Sequence, residues 1–329
     1  MTLPPQNPPP DLPGLSRRQF LRWGLYTAAA CAAAGCTAWY VGPPTTSLPP
    51  NSKPRPFSGG TDVTFLLAAD THLGFEDSEA DNEKQIEALN AIAGKPWPQA
   101  LGGLIAQPSA VIIAGDLTDH GLPSEWASFL RLYGAKGGDA KLKLPLWLAT
   151  GNHDRIDLAG QPVVKAVAAL NGGSLVWTRD LGDLHLICLD EHPGQETHPW
   201  LAAELAAVGR QRPVIIVTHY GLAGPFSDFW APEEKDDFAR IIKGYNIIAL
   251  IHGHWHSSAQ YCWRGYNCYC IGAVKNGQDA FLVVRVTDYQ LTVASWHWNR
   301  SAWLWWHEKP INALAGKAPE RSSDIIPDW

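Results

Sequence analysis

The stretch 247-IIALIHGHWH-256 runs from an uninterrupted apolar segment straight into three alternating histidines, His252, His254 and His256. A short apolar run of this kind reads as a strand buried on both faces. One histidine at its end would be an ordinary hydrogen-bonded side chain, but three within five residues require a shared purpose. The same pattern recurs along the chain. The runs 63-VTFLLAAD-70, 110-AVIIAGD-116, 144-LPLWLATGNHD-154, 184-LHLICLD-190 and 213-PVIIVTH-219 all close on a carboxylate or an imidazole.

Helical spacing fills the gaps between these runs. Trp126, Phe129, Leu130 and Tyr133 fall at i, i+3, i+4 and i+7, and similar spacing joins Leu201, Leu205 and Val208, and Phe238, Ile241 and Ile242. Alternation of apolar runs with one-sided helices predicts an α/β layered domain over residues 61–309. After Ser257 the pattern turns to antiparallel hairpins, with 281-FLVVRV-286 and 291-LTVASWHW-298 joined around Asp288, and residues 310–329 read as a C-terminal tail. No internal repeat is visible.

The first sixty residues have a different character. A basic cluster, 16-SRRQFLR-22, precedes the uncharged, Ala-rich segment Trp23 to Val41, so residues 1–41 read as a targeting or anchoring element. Arg17-Arg18 followed by Gln19-Phe20-Leu21 resembles the twin-arginine export signal, whose cargo crosses the membrane folded. Three fates are open: acylation at Cys36 after the lipobox-like Ala33-Ala34-Gly35-Cys36, cleavage after Ala38, or retention of an uncleaved span. Each places the main domain outside the cytoplasm and ties it to, or releases it from, a membrane. Residues 42–60, 42-GPPTTSLPPNSKPRPFSGG-60, then form a semi-rigid linker.

Size and composition agree with a globular domain. The chain has 329 residues, 46% hydrophobic and 18% charged, enough to bury a large core. Its net charge of −6 offers no basic footprint for a nucleic-acid scaffold. If residues 1–35 are removed, Asp11, Arg17, Arg18 and Arg22 leave with them and the charge becomes −8.

Strands that deliver polar groups at one end are expected to line a single sheet edge, where open α/β sheets bind ligands. The candidates are Asp70 and His72, Asp116, Asn152 and His153, His219, and the pair His254 and His256. Oxygen and nitrogen donors without thiolate suit divalent Mn, Fe or Zn, and the donors are too many for one ion. Two ions sharing a carboxylate fit best.

The ordered series Asp70-Thr71-His72, Gly115-Asp116-Leu117-Thr118-Asp119, Gly151-Asn152-His153-Asp154, Thr218-His219 and Gly253-His254-Trp255-His256 resembles the five signature blocks of calcineurin-like metallophosphoesterases. The match spans about residues 62 to 256, in the family's order. A lone block would be weak, whereas five in sequence are specific. The resemblance implies a layered β-sandwich flanked by helices. It also implies one metal on Asp70, His72 and His256, a second on Asn152, His219 and His254, and Asp116 bridging both. A hydroxide between the ions would attack phosphorus. His153 would protonate the leaving oxygen, with Asp154 as its orienting partner.

Neighbouring residues carry weaker expectations. His252 reads as structural, Asp119 as orienting a ligand or capping the next helix, and Arg155 as either a phosphate contact or an ion pair. His120, His192 and His198 lie in loops after strand ends. The run 115-GDLTDHGLPSEW-126 is similar to cyclic-nucleotide phosphodiesterases of the superfamily, while the export address favours an extracytoplasmic phosphoester. Cys188 reads as a buried hydrophobe, and Cys262 could pair with Cys268 or Cys270 in a hairpin if their Cβ atoms approach. Trp296, Trp298, Trp303, Trp305 and Trp306 read as sheet core; the sharper alternative is a membrane-interface belt, which with a lipid anchor would make the protein a phospholipid-headgroup phosphodiesterase. Two functions follow: a metal-dependent phosphoester hydrolase, or an anchored metal-containing binding or sensing protein. His153 favours the hydrolase.

Overall fold

The structure, a computed structural model, describes residues 58–156, 161–191, 194, 197–275, 278–311 and 320–324. Residues 1–41, which the sequence reads as a targeting element, and His192 lie outside the described residues. Chain order runs β1 (Asp62–Ala68), α1 (Ser78–Asn90), β2 (Val111–Ala114), α2 (Pro123–Tyr133), β3 (Leu146–Ala149), α3 (Pro162–Leu170), β4 (Trp177–Leu181) and β5 (Leu184–Cys188). It continues with α4 (His198–Val208), β6 (Val214–Val217), α5 (Pro232–Ile242), β7 (Ile247–His252), β8 (Ala259–Trp263) and β9 (Tyr266–Cys270). The last elements are β10 (Ala280–Thr287), β11 (Gln290–His297), β12 (Ala302–Pro310) and the short β13 (Arg321–Ser322).

These strands form two sheets, ordered β13-β12-β11-β10-β1-β2-β3 and β4-β5-β6-β7-β9-β8. Alternation along each strand builds the layers. In β1, Phe65 and Leu67 enter the core shared by the sheets, while Leu66 and Ala68 face a second core. That second core also receives Ile86 and Leu89 of α1, Phe129 and Leu132 of α2, and Val163 and Val167 of α3. On the other sheet Leu186 and Val217 face inward, and Ile187 and Ile216 meet Leu201 and Leu205 of α4 and Phe238 and Ile242 of α5. The result is a β-sandwich with helices on both outer faces.

The single sheet edge expected for all six run ends is corrected. They divide between the sheets, with β1, β2 and β3 in one and β5, β6 and β7 in the other. The free edge of β3 is closed: the Trp177 indole and the Asn171 amide both donate to the Leu148 carbonyl, at 2.8 and 3.2 Å. The chain therefore restarts on the second sheet through the antiparallel β4–β5 pair.

The C-terminal hairpins extend the first sheet. β10 runs antiparallel to both β1 and β11, and Arg321 and Ser322 pair with Glu308 and His307, so part of the expected tail is a strand. Trp296, Trp298 and Trp305 are buried, and Trp303 and Trp306 pack against the core, as the sheet-core reading expects. The disulfide left open for Cys262 is not formed. Register pairs Cys262 with Asn267 and Cys268 with Tyr261, which puts Cys262 on the opposite face from Cys268 and Cys270. None of the four described cysteines is in a disulfide. Among the described residues no helix is long and apolar enough to cross a membrane.

Candidate metal centre

At the strand ends the backbone turns in an unusual way. Asp70, His72, Asp116, His254 and His256 all have positive φ, between 41° and 67°. This left-handed region is disfavoured for residues carrying a Cβ, and such strain persists only where the surroundings hold it. Here the surroundings are explicit. The Asp70 and His72 amides donate to the Gly115 and Asp116 carbonyls at 3.0 Å, and the His254 amide donates to the Asp70 carboxylate at 3.0 Å.

Three glycines make room for the side chains. A Cβ on Gly115 would lie 2.5 Å from His219 Nδ1, one on Gly253 2.7 Å from Asp70 Oδ2, and one on Gly151 would run into the Asp116 carboxylate. Glycine is required at each because the functional group occupies the space a methyl would need.

The donors gather in two groups that share Asp116. Asp70, His72, Asp116 and His256 form one, and Asp116, His219 and His254 the other. Asn152 joins the second, with Oδ1 3.1 Å from His219 Nε2. Asp116 Oδ2 stands 3.5 Å from His72 Nε2 and 3.3 Å from His219 Nε2. The ring tautomers follow from their outer partners. A carbonyl only accepts, so His219 donates from Nδ1 to Ala114 at 2.8 Å and presents Nε2 inward. His72 donates from Nδ1 to the Asp119 carboxylate at 3.0 Å, again leaving Nε2 inward.

These residues fit divalent cations. Asp116 Oδ2 and His254 Nε2 are buried without a hydrogen-bond partner, and His72 Nε2 faces His256 Nε2 at 3.1 Å. Two imidazole nitrogens at that separation repel unless a proton or a cation lies at them. Burial holds His254 well below the ordinary imidazole value and pushes His256 down to about 4, the neutral form that ligates metal. Burial raises Asp70. It would also raise Asp116, but His219 holds that carboxyl well below its usual range. For His219 itself, burial acts downward and is outweighed by Asp116 and Asp70, which lift it to about 10. The pocket is thus built around negative charge that calls for cations.

His153 and Asp154 separate. The His153 ring donates from Nδ1 to the Asp119 carbonyl at 2.7 Å, its amide donates to Asp116 Oδ1 at 2.9 Å, and its side chain is 28% exposed. Asp154, expected as its orienting partner, faces elsewhere. Its buried carboxylate accepts from the amides of Leu117, Thr118 and Gly151 and from the Thr118 hydroxyl, tying the second block to the third. We expect Asp154→Ala to strand these buried donors, cost about 3 kcal/mol and lower Tm by roughly 5–10 °C. Thermal unfolding checks this, and an unchanged Tm with lost turnover would instead place Asp154 in the chemistry.

The remaining candidates also find their places. His252 donates to the Gly253 carbonyl and accepts from the Tyr261 hydroxyl, both at 2.9 Å, so its two ring nitrogens are committed to these structural partners. Arg155 is held by Asp190 and by Glu191, the latter at 2.7 Å, so the ion pair prevails. His120 bonds Glu125 at 3.2 Å. His198 opens α4. Sequence reasoning missed Lys275, whose ammonium lies 2.5 Å from Asp119 Oδ1. It also missed an aromatic wall: Tyr220, Phe229 and Phe226 stand 4.7, 5.0 and 5.5 Å from the His254 ring. Aromatic residues clustered just after the fourth block were the available signal.

Residues 63–258 match the calcineurin-like phosphoesterase family, more than half of the chain. The chain belongs to the calcineurin-like phosphoesterase family. It combines the two-sheet fold with groups of side chains that could hold metal ions. A probable cyclic nucleotide phosphodiesterase from Rhodococcus erythropolis is 27% identical over 217 residues, covering 61% of this phosphoesterase and 67% of the relative. A purple acid phosphatase from yellow lupin, Lupinus luteus, shares the fold with a TM-score of 0.58 at 15% identity, over 81% of this chain and 57% of the lupin chain. The phosphoesterase therefore spans little more than half the lupin enzyme's length. A dimetal phosphatase from Danio rerio gives a TM-score of 0.50 at 11% identity, over 71% and 95% of the two chains.

Proposed function

We propose that this phosphoesterase is an exported, dinuclear hydrolase of an extracytoplasmic phosphoester, with a diester as the first candidate. The observation that carries the reading is Asp116 Oδ2, buried, without a hydrogen bond and within 3.5 Å of an imidazole from each donor group. Asp70, His72 and His256 would hold one ion and Asn152, His219 and His254 the other, with Asp116 shared. Two divalent cations, Mn, Fe or Zn, supply Lewis acidity and lower the pKa of water when bound there. His153 then supplies the proton. Its Nδ1 is committed to the Asp119 carbonyl, so Nε2 is the atom that can deliver a proton to a leaving oxygen.

The Rhodococcus relative's name supports a diester, while the export address argues for a substrate other than an intracellular cyclic nucleotide. Metal-reconstituted protein should hydrolyse bis-p-nitrophenyl phosphate faster than p-nitrophenyl phosphate, lose activity to a chelator and regain it with Mn. Failure of the loaded protein to hydrolyse either ester would sink the proposal.

Export rests on Arg17-Arg18, and anchoring on Cys36 or on the uncleaved span Trp23 to Val41. Replacing Arg17 and Arg18 together by Lys should strand the precursor in the cytoplasm. Fractionation showing normal export of the double variant would remove the twin-arginine assignment.

A further inference from the structure

Among the described residues five large hydrophobic side chains are exposed: Leu104, Leu122, Ile156, Phe226 and Tyr289. Three of them, Leu122, Ile156 and Phe226, lie in the loops that leave β2, β3 and β6, the strand ends carrying Asp116, Asn152 and His219. Phe226 is the one shown in contact with a donor residue.

The wall around His254 explains how Phe226 is held there. Tyr220 and Phe229 stack on each other with centroids 4.6 Å apart, and both meet the His254 ring edge-on. Phe226 stands edge-on to the same ring at 5.5 Å and an interplanar angle of 70°, yet 45% of it is exposed. Its backbone is left-handed, φ 58°, and its carbonyl accepts from the Phe229 amide at 3.3 Å. An aromatic residue held in this region costs free energy, and exposing its ring to water returns none of it. Leaving a planar face open beside a metal-ligand candidate does have a use: it offers a stacking platform to whatever hangs from a phosphoryl group at the centre.

We propose that Phe226 is a specificity-determining residue, stacking on an aromatic ring carried within a few bonds of the substrate's phosphorus. The inference rests on the phosphoesterase reading and narrows its substrate class to aryl or nucleoside phosphoesters. The shared chemistry is a flat ring near the phosphoryl group.

The test is binding to the full, Mn-loaded protein, measured by calorimetry without turnover. Four probes form two pairs: phenyl phosphate against methyl phosphate, and uridine 5′-monophosphate against ribose 5-phosphate. The wild-type protein should prefer the ring-bearing member of at least one pair by about tenfold, within the range of single-ring stacking. Preference in the first pair alone identifies an aryl ester, and in the second a nucleoside. In Phe226→Leu, which keeps apolar bulk and loses the ring, the preference should fall to about twofold, and in Phe226→Trp it should persist. No ring preference in the wild type, or an undiminished one in Phe226→Leu, overturns the stacking role while leaving the hydrolase reading intact. Binding of none of the four probes, nor of inorganic phosphate, would overturn both.

Discussion

Asp116→Asn is expected to empty the centre rather than weaken one side of it. The substitution keeps the shape of the side chain and its position at the end of β2, but removes the charge that His72 and His219 approach at 3.5 and 3.3 Å. Each donor group without Asp116 is left chiefly with neutral imidazoles, and Asp70 as the only carboxylate on one side. Elemental analysis should fall from about two ions per chain to fewer than one, and turnover should drop by more than the roughly 10²–10³-fold lost with a single electrostatic donor. His256→Ala provides the contrast, because His256 belongs to one group alone and its loss should cost one ion. Two tightly held ions in Asp116→Asn would refute a shared carboxylate.

His153→Gln should separate proton delivery from metal binding. The residue follows Asn152 in the third block, and its ring is fixed through the Asp119 carbonyl while remaining partly exposed. Glutamine can still donate a hydrogen bond but cannot transfer a proton at neutral pH. Metal content should stay intact, and turnover should fall by roughly 10²–10⁴-fold for alkyl esters, whose leaving oxygen needs a proton. The loss should be smaller with p-nitrophenol, which departs as an anion. Equal losses across leaving groups of widely different pKa would eliminate the acid role and leave a phosphate-binding one.

Much of this was legible because the relevant signals are local. The runs ending at Asp70, Asp116, His219 and His256 are apolar, short and closed by a potential ligand, so strands and their ligands could be read together. The helical stripes held as well, although α2 buries Glu125, Phe129, Leu132 and Tyr133 while Trp126 and Leu130 are only partly covered. What escaped depends on long-range pairing. β3 ends the first sheet with its Leu148 carbonyl capped by Trp177 and Asn171, and nothing near Leu148 in sequence announces those partners. Lys275 arrives because Val274 donates to the Asp70 carbonyl at 3.1 Å, a return made after the last recognisable block. Asp154 was misplaced for a different reason. Adjacency to His153 suggests a partner, but in the tight turn of residues 153–155 successive side chains diverge, and the carboxylate goes to the amides beneath.

The division of the donors between two sheets also has a consequence in time. A ribosome releases Asp70, His72, Asp116 and Asn152 before His219, His254 and His256, and β10 to β13, which complete the first sheet, come last of all. The full donor set therefore comes together only once strands of both sheets have been made and joined. On the proposed twin-arginine route, which carries folded cargo, maturation and departure would then share one checkpoint, the joining of the two sheets.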